Sequence, residues 1–241
     1  LLPEDLRKDW LLHFSGFLTW SIICYLSLVN LNVGSEFFIK LLAFIVFLII
    51  CISACFYSLL RPFHRNHVHI TSKYLGKIAS ILGMDVEVRI PDSVKDMGPA
   101  VYICNHQNNY DLFTVSNALP RNTVSVGKSS LKWIPVFGQM YWLTGNILID
   151  RQNSNKAMNT ITQTVKKIKE KNLSVWLFPE GTRSKGRGLL PFKTGAFRTA
   201  QLASVPIIPI CVSNQHDIIK FNRWNNGKII IELLDPIYLP E

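Results

Sequence analysis

Two polar loops in the sequence carry side chains that could perform acid–base chemistry and hold an anion. The first reads NHQNNYD (residues 105–111) and directly follows the apolar run AVYIC. It places His106 on a turn and Asp111 five residues later, at a natural N-cap position for the helical pattern LFTVSNAL. A histidine base needs an acceptor on its second ring nitrogen, and a carboxylate one turn away can supply it. The ordinary alternative is a loop histidine followed by an aspartate that only caps the helix.

The second loop reads FPEGTRSKGRG (residues 178–188) and follows the apolar run SVWLF. Its glycines, the Thr182 hydroxyl and the basic side chains Arg183, Lys185 and Arg187 suit an oxyanion or a phosphate, because backbone N–H groups and guanidinium forks can converge on it. The chain has no GxxxxGK[ST] motif, which argues against a nucleoside triphosphatase. A solvated basic hairpin is the alternative reading of this loop.

Short apolar runs precede these loops and predict the strands that position them. The predicted strands cover 84–90, 100–105, 123–128, 146–150, 174–179, 205–212 and 228–234. Helical patterns lie between them at 68–82, 111–119, 155–171 and 195–204. This alternation predicts an α/β fold with a mixed, mostly buried sheet of about seven strands flanked by helices. Ligands of such sheets bind beyond the carboxyl ends of the strands, where a third loop ends in Asp150 and Arg151.

Two long apolar segments precede this part of the chain. Trp10–Leu31 and Leu41–Leu60 contain no Asp, Glu, Lys or Arg, and each is long enough to cross a membrane as a helix. The connector between them, residues 32–40, is short, so we expect a helical hairpin that anchors the chain. The predicted organisation is therefore a membrane hairpin over 1–62 followed by a second domain over 63–241. A hairpin lying in one leaflet and two buried core helices are the alternatives.

Charge separates the two parts and predicts their orientation. Residues 61–241 carry 23 basic and 12 acidic side chains, whereas residues 1–60 carry three and four. Arg7 and Lys8 precede the first apolar segment, and Arg61, Arg65 and Lys73 follow the second. The positive-inside rule then places both ends of the hairpin and the basic domain on the cytoplasmic side.

Composition excludes several classes of protein. Charged residues make up only 17% of the 241 residues and apolar residues 48%, which excludes a disordered chain. The five cysteines are scattered and odd in number, with no CxxC pair, so we expect neither a disulfide framework nor a zinc module.

We also expect Cys104 to be an unreactive strand thiol, and the histidines at 64, 67 and 69 to be polar residues near a membrane rather than metal ligands. Since the sequence starts at Leu1 rather than Met, we expect it to be processed or cut from a longer chain.

The net charge of +10 favours an anionic partner. An acidic lipid surface, a phosphorylated small molecule and a nucleic acid would each satisfy it. Aromatic and basic residues are not interleaved as in RNA-binding sheets, and no recognition module is found, so we expect no nucleic acid. A purely structural scaffold would not need a His–Asp loop beside an Arg-rich turn.

Six segments, taken in order, resemble the motifs of the 1-acyl-sn-glycerol-3-phosphate acyltransferases, also called lysophosphatidic acid acyltransferases. They are NHQNNYD, VGKSSLKWIPVFG, GNILIDR, FPEGTRS, LLPFKTGAF and VPIIPI. The similarity runs from about residue 62 to the end of the chain. NHQNNYD and WIPVFGQMYWLTGN most resemble the bacterial members, whereas an apolar two-helix front is closer to eukaryotic ones.

The resemblance implies a fold, a reaction and a set of site residues. The fold would be that of the glycerolipid acyltransferases, with His106 as the base that deprotonates the glycerol 2-hydroxyl and Asp111 as the residue that orients it. The glycerophosphate would be bound by Glu180, Gly181, Thr182 and Arg183, with Arg151 and Lys128 as further phosphate partners. The segment with Pro206 and Pro209 would shape the site.

The reaction so implied transfers an acyl group from acyl-CoA or acyl-acyl-carrier protein to lysophosphatidate and forms phosphatidate. No cofactor, no metal and no covalent acyl-enzyme is implied. Acylation of glycerol 3-phosphate or of another lysophospholipid is the alternative, since its residues would look nearly the same. We expect the enzyme on a phospholipid membrane, at the cytoplasmic face of a bacterial inner membrane, or in the endoplasmic reticulum if the source is eukaryotic.

Overall fold

All seven predicted strands form one mixed sheet in the computed structural model, which describes residues 35–150, 154–220 and 225–240. Along the chain they are β1 (Asp85–Arg89), β2 (Val101–Cys104), β3 (Thr123–Lys128), β4 (Ile147–Ile149), β5 (Ser174–Leu177), β6 (Ile207–Val212) and β7 (Lys228–Leu233). Their order across the sheet is β1-β7-β6-β2-β5-β3-β4. Neighbours pair in parallel except β6 and β7, which are antiparallel. The predicted mixed sheet of seven strands is confirmed.

Five neighbouring strands, β6, β2, β5, β3 and β4, run in the same direction, so their carboxyl ends meet at one edge of the sheet. The strands at the centre are covered on both faces: all four residues of β2 are buried, as are three of the four in β5. Their uninterrupted apolar sequences, VYIC and SVWL, follow from this environment, because neither face meets water.

Six α-helices accompany the sheet. They are α1 (Ser35–Leu60), α2 (His67–Ile81), α3 (Asp111–Thr114), α4 (Phe137–Leu143), α5 (Ser154–Lys171) and α6 (Gly195–Ala203), as counted over the described residues. Three of the four predicted helices match α2, α5 and α6. The fourth, predicted over 111–119, is divided into α3 and a 3₁₀ helix over Val115–Ala118. Helix α5 packs on α6, and α2 packs on α1 and α3.

Helix α4 is not anticipated by the apolar patterning of the sequence. It is only seven residues long, and it begins after Val136, whose φ of 64° is unusual for a β-branched residue. The helix is held by tertiary contacts: the Phe137 ring stacks on Phe47 of α1 with 5.9 Å between the ring centroids. Such a short helix depends on packing more than on its own propensity.

Helix α1 is long and apolar enough to cross a membrane. Its most apolar stretch, within Phe37–Leu60, has a mean hydropathy of 2.8, and only 22% of that stretch is buried. One stripe of the helix packs on the rest of the chain, and this stripe contains Ile39, Ala43, Cys51, Ala54 and Ser58. The other faces expose large apolar side chains, among them Leu42, Ile45, Ile49, Ile52 and Phe56. A helix buried in the core would not leave such faces uncovered.

The first predicted apolar segment, Trp10–Leu31, lies outside the described residues. One apolar helix of the predicted hairpin is therefore seen, and the two-helix hairpin itself stays a prediction. The same holds for the proposed division at residue 62. In the described part of the chain, α1 packs directly on α2 and α4.

Candidate active site

The loop after β2 brings His106 and Asp111 into direct contact. The His106 Nδ1 atom lies 2.6 Å from the Asp111 Oδ2 atom, and the Asp111 side chain is almost fully buried. The same oxygen accepts the backbone N–H groups of Gln107, at 2.7 Å, and of Asn108, at 3.1 Å. The carboxylate therefore holds the turn and the imidazole together.

Asp111 does not cap the helix that follows it, and this corrects the N-cap expectation. Asp111 is itself the first residue of α3, and the N-cap residue is Tyr110, which makes no side-chain cap hydrogen bond. The carboxylate turns back toward residues 106–108 because the imidazole and two loop N–H groups offer it three donors there. Of the two interpretations of this loop, the geometry favours the His–Asp pair.

The contact with Asp111 leaves the second nitrogen of the His106 ring available. Because an ionised carboxylate only accepts hydrogen bonds, Nδ1 is the donor in this contact, and a neutral ring then presents a lone pair at Nε2. The ring stacks on Phe178, with 3.9 Å between the centroids and 15° between the planes, and the side chain is 17% exposed. The ring is thus fixed on one face and remains open to a ligand, as a general base must be.

The loop after β5 is tied to the His106 loop by backbone hydrogen bonds. The N–H groups of Ser184 and Lys185 donate to the carbonyl oxygens of His106 and Gln107, at 2.8 and 3.0 Å. Because β2 and β5 are parallel neighbours, both loops leave the same edge of the sheet. The two chemistry-bearing loops identified in the sequence therefore form one site.

Glu180 links these loops from below the surface. Its Oε1 atom accepts the His106 backbone N–H at 2.7 Å, and its Oε2 atom accepts the Leu190 N–H at 3.0 Å. The residue is only 3% exposed. A role of Glu180 in phosphate binding stays a prediction, and in this geometry it would act through the loop that the carboxylate holds in place.

The residues after Glu180 turn toward solvent. Gly181 has a φ of +70°, and a Cβ atom built there would lie 2.9 Å from the Lys193 side chain, so glycine suits both the turn and the close approach. Thr182 and Arg183 are exposed. Among the described residues, no acidic side chain pairs with the Arg183 guanidinium. Arg183 and Lys193 thus leave two cations near the Gly181 turn for an anionic ligand.

The remaining phosphate-binding candidates lie farther along the same edge. Lys128 ends β3, which is separated from β2 by β5, so the two strand axes are roughly 10 Å apart. Arg151 follows β4 and lies outside the described residues. Their contact with a phosphate stays a prediction.

The VPIIPI segment supplies residues 207–210 of β6, where Pro209 pairs with Ile103, one residue before the end of β2, and a role of its prolines in shaping the site stays a prediction. Pro206 precedes the strand at its amino end, where its carbonyl oxygen accepts the Val101 N–H at 2.9 Å. Strand β6 reaches the site at its carboxyl end, beyond the VPIIPI segment. There Gln107 Nε2 donates to the carbonyl oxygens of Val212 and Ser213, at 3.0 and 2.9 Å.

Cys104, His67 and His69 occupy structural rather than reactive positions. Cys104 is buried in β2, and burial, followed by the charge of Asp111, raises the pKa of its thiol well above the ordinary value, so it is not a thiolate nucleophile. His67 Nε2 contacts the Arg61 carbonyl oxygen at 2.7 Å, and His69 Nδ1 contacts that of Leu119 at 2.8 Å. These ring nitrogens are therefore engaged with backbone carbonyl oxygens.

Two residues of the site are missed by sequence reasoning. Gln215 follows β6 and donates from Nε2 to the Asp111 Oδ1 atom at 3.0 Å, although 104 residues separate them. Lys193 lies in the LLPFKTGAF segment, and only the fold brings its side chain to Gly181. Strand order could have indicated the first, since β6 and β2 are neighbours with adjacent carboxyl ends.

Comparison with known proteins identifies the family. The family model described as Acyltransferase matches residues 85–213. A 1-acyl-sn-glycerol-3-phosphate acyltransferase of Haemophilus influenzae is 52% identical over 203 residues, which cover 83% of this chain and 85% of the relative. The enzyme of that name from Escherichia coli (strain K12) is 52% identical over 79% of this chain and 78% of its own length.

A solved structure supports the fold. The 1-acyl-sn-glycerophosphate (LPA) acyltransferase PlsC from Thermotoga maritima superposes with a TM-score of 0.61, covering 82% of this chain and 85% of that one, at 22% identity. The identity of 52% to each of the two bacterial relatives, over most of the chain, confirms the resemblance of the six ordered motifs. This chain belongs to the 1-acyl-sn-glycerol-3-phosphate acyltransferase family.

Proposed function

We propose that this protein transfers a fatty acyl group to the sn-2 hydroxyl of 1-acyl-sn-glycerol 3-phosphate and forms phosphatidate for phospholipid biosynthesis. The observation that carries the proposal is the contact of His106 with Asp111 beside the exposed cation of Arg183. The base and the anion-binding side chains are the two parts that this reaction requires. The names of the bacterial relatives support the same acceptor.

His106 acts as the general base in this proposal. Its Nε2 atom removes the proton of the sn-2 hydroxyl, and the oxygen attacks the carbonyl carbon of the thioester. Asp111 holds the ring and stabilises the imidazolium that forms. When the tetrahedral intermediate collapses, the C–S bond breaks and the imidazolium returns its proton to the leaving sulfur. The products are phosphatidate and a free thiol, and the acyl group is never covalently bonded to the protein.

The loop at Gly181–Arg183 holds the phosphate of the acceptor. The Arg183 guanidinium can donate two parallel N–H bonds to phosphate oxygens, and the Thr182 hydroxyl and backbone N–H groups can add to them. Lys193 lies next to this turn. Lys128 and Arg151, at the ends of the next strands, would contribute further positive charge. Hydrogen bonds between the two loops then fix the distance from phosphate to base.

The acyl donor is acyl-CoA or acyl-acyl-carrier protein. Both present the same thioester, so the chemistry at His106 is identical for the two. We propose no metal and no cofactor in the reaction, because a general base and a thioester leaving group suffice for acyl transfer.

The acceptor is a lipid, and the exposed apolar faces of α1 would place the site at a membrane. These faces are too apolar for contact with water alone, and the helix is long enough to span the hydrocarbon core. We propose that Trp10–Leu31 completes a hairpin with α1 and that residues 63–241 lie on the cytoplasmic face. The bacterial relatives favour the inner membrane of a bacterium as the compartment.

An acceptor panel with purified protein tests this proposal. The protein in detergent micelles is given labelled acyl-CoA or acyl-acyl-carrier protein, together with lysophosphatidate, lysophosphatidylcholine or glycerol 3-phosphate. The expected result is labelled phosphatidate from lysophosphatidate, with little product from the other acceptors. Preferential acylation of glycerol 3-phosphate would contradict the proposed acceptor and support the alternative reaction.

A further inference from the structure

We propose that Gln215 is a positioning residue for acyl transfer, because its amide fixes the carboxylate of Asp111, which in turn fixes the His106 ring. The inference rests on the proposed function, since it assigns Gln215 to that same reaction. Gln215 lies in the loop after β6 and outside the six motifs that mark the family in this sequence.

The hydrogen bonds of Asp111 are divided unequally between its two oxygens. Oδ2 accepts from the His106 ring and from the N–H groups of Gln107 and Asn108. Oδ1 accepts from Gln215 Nε2 at 3.0 Å. Gln215 thereby fixes the rotation of the carboxylate about its Cβ–Cγ bond, and this rotation sets the direction of the bond to His106.

The amide of Gln215 is itself held in one orientation. Its Oε1 atom accepts the Thr114 hydroxyl at 3.1 Å, which leaves Nε2 facing Asp111. The backbone N–H of Gln215 donates to the Gln107 side-chain oxygen at 2.8 Å. Gln215 is 1% exposed, so water does not compete for these bonds. A glutamine with both ends of its amide bonded in this way is preorganised before any substrate binds.

Removal of this amide leaves one oxygen of a buried carboxylate without its donor. A hydrogen bond to a charged group contributes enough that its loss corresponds to about 10- to 100-fold in rate. Because Gln215 does not face the acceptor phosphate, substrate binding should not share the loss. A positioning role therefore predicts a lower kcat with KM for lysophosphatidate changed by less than about 3-fold.

Gln215→Met tests the inference because methionine keeps the length and volume and removes the amide. We expect a 10- to 100-fold lower kcat, about the value of one lost charge-assisted hydrogen bond. Asn214→Ala is the matched control in the same loop. Asn214 is exposed, and among the described residues its side chain bonds only to the His216 N–H, so kcat should stay within about 2-fold. Thermal unfolding of each variant reports whether the fold is retained.

A double variant separates positioning from a general structural effect. If Gln215 acts through the carboxylate, Gln215→Met should cost less than about 3-fold in an Asp111→Ala background, because the group it positions is gone. Gln215→Glu keeps the acceptor for Thr114 and gives a second readout. In this variant the protonated carboxyl at position 215 can donate to Asp111, whereas the ionised carboxylate repels Asp111. The kcat of the variant should therefore fall as pH rises, whereas the wild-type kcat should rise.

The outcomes distinguish failure of the inference from failure of the proposed function. Wild-type kcat in folded Gln215→Met, or equal losses in the presence and absence of Asp111, would overturn the role of Gln215 while the wild type still forms phosphatidate. If Gln215→Met does not fold, a Gln215→Glu profile that rises with pH like the wild type would overturn it. A wild-type chain that forms no phosphatidate would overturn both proposals.

Discussion

The Asp111 carboxylate accepts four hydrogen bonds, from the His106 ring, two backbone N–H groups and the Gln215 amide. Three of these donors come from the turn that precedes Asp111, and the fourth comes from a loop 104 residues away. At the scale of single residues, the chemistry therefore depends on one buried anion that accepts hydrogen bonds from the loops that follow two neighbouring strands. Of the two side chains among these donors, that of Gln215 is buried and that of His106 is partly exposed, so His106 is the one that can reach a substrate.

Asp111→Asn tests the importance of the anion. The amide nitrogen of asparagine would face either the three donors that now share Oδ2, including the His106 Nδ1–H group, or the Gln215 amide that now donates to Oδ1, and donors would then oppose donors. The imidazole is expected to adopt the wrong tautomer, and kcat should fall by about 10²- to 10⁴-fold. Steady-state kinetics with lysophosphatidate measures the loss, and circular dichroism should show a retained fold. A folded Asp111→Asn protein with wild-type kcat would contradict the role of the pair.

Arg183→Ala tests phosphate binding separately from chemistry. The phosphate carries its charge in both the ground state and the transition state, so loss of the contact should raise KM for lysophosphatidate more than it lowers kcat. A charge-assisted hydrogen bond contributes about 1.5–3 kcal/mol, which corresponds to roughly 10- to 150-fold.

The conservative variant Arg183→Lys keeps the charge and loses the bidentate fork, so its KM should lie between those of the wild type and Arg183→Ala. A comparison of lysophosphatidate with lysophosphatidylcholine reports the preference for the headgroup. Unchanged KM and unchanged headgroup preference in Arg183→Ala would show that this turn does not hold the phosphate.

At the scale of elements, the site is made by loops at the carboxyl ends of three neighbouring parallel strands, β6, β2 and β5. The loops are fastened to one another by buried side chains. Gln107 connects the β2 loop to the end of β6, and Glu180 connects it to the loop after β5. Loops held in this way can keep base and phosphate site at a fixed separation.

Glu180→Gln tests this fastening. The buried carboxylate accepts N–H groups on both oxygens, whereas an amide can accept on only one side and opposes the other N–H with its own NH₂ group. The free energy of unfolding should fall by about 1–3 kcal/mol, the cost of an unsatisfied buried polar group.

Glu170→Gln is the matched control on α5, because Glu170 is 61% exposed and forms a surface pair with Lys166 at 3.7 Å. Its effect should stay within about 0.5 kcal/mol. Denaturant unfolding measures both variants. Equal losses in the two variants would contradict the fastening role of Glu180.

The sequence predicts the strands well and the contacts between loops poorly. VYIC and SVWL predict buried strands because residues that never meet water are apolar on both faces. Asp111 is misjudged as a helix cap because position along the chain does not reveal the direction of a side chain. Gln215 is missed because its partner is brought near only by the pairing of β6 with β2. The pair of His106 and Asp111 is predictable because its members lie five residues apart.

At the scale of the whole molecule, a basic α/β domain is joined to an apolar helix whose outer faces are uncovered. Helix α1 packs one stripe on α2 and α4, and its other faces suit lipid. The charge of residues 61–241 would draw this domain toward an anionic leaflet, by roughly 1 kcal/mol for each basic residue close to the surface. Under the proposed function, both features would bring the site to the membrane that holds its lipid acceptor.

The proposed orientation predicts a difference in thiol labelling between the two sides of the membrane. A cysteine at Asn32, in the connector outside the described residues, should react with an impermeant thiol reagent added to intact cells. A cysteine at the exposed Arg65, just after α1, should react only after the membrane is opened. The experiment uses a background without the five native cysteines. Labelling of both positions from the same side would contradict a spanning hairpin and favour one that lies in a single leaflet.

The most direct test of the account is phosphatidate formation by the wild type and by His106→Ala, measured with lysophosphatidate and labelled acyl-CoA or acyl-acyl-carrier protein. The account predicts labelled phosphatidate from the wild type and a kcat lower by about 10²- to 10⁴-fold in the folded variant, since a general base contributes that much. Folded His106→Ala protein that forms phosphatidate at the wild-type rate would contradict it.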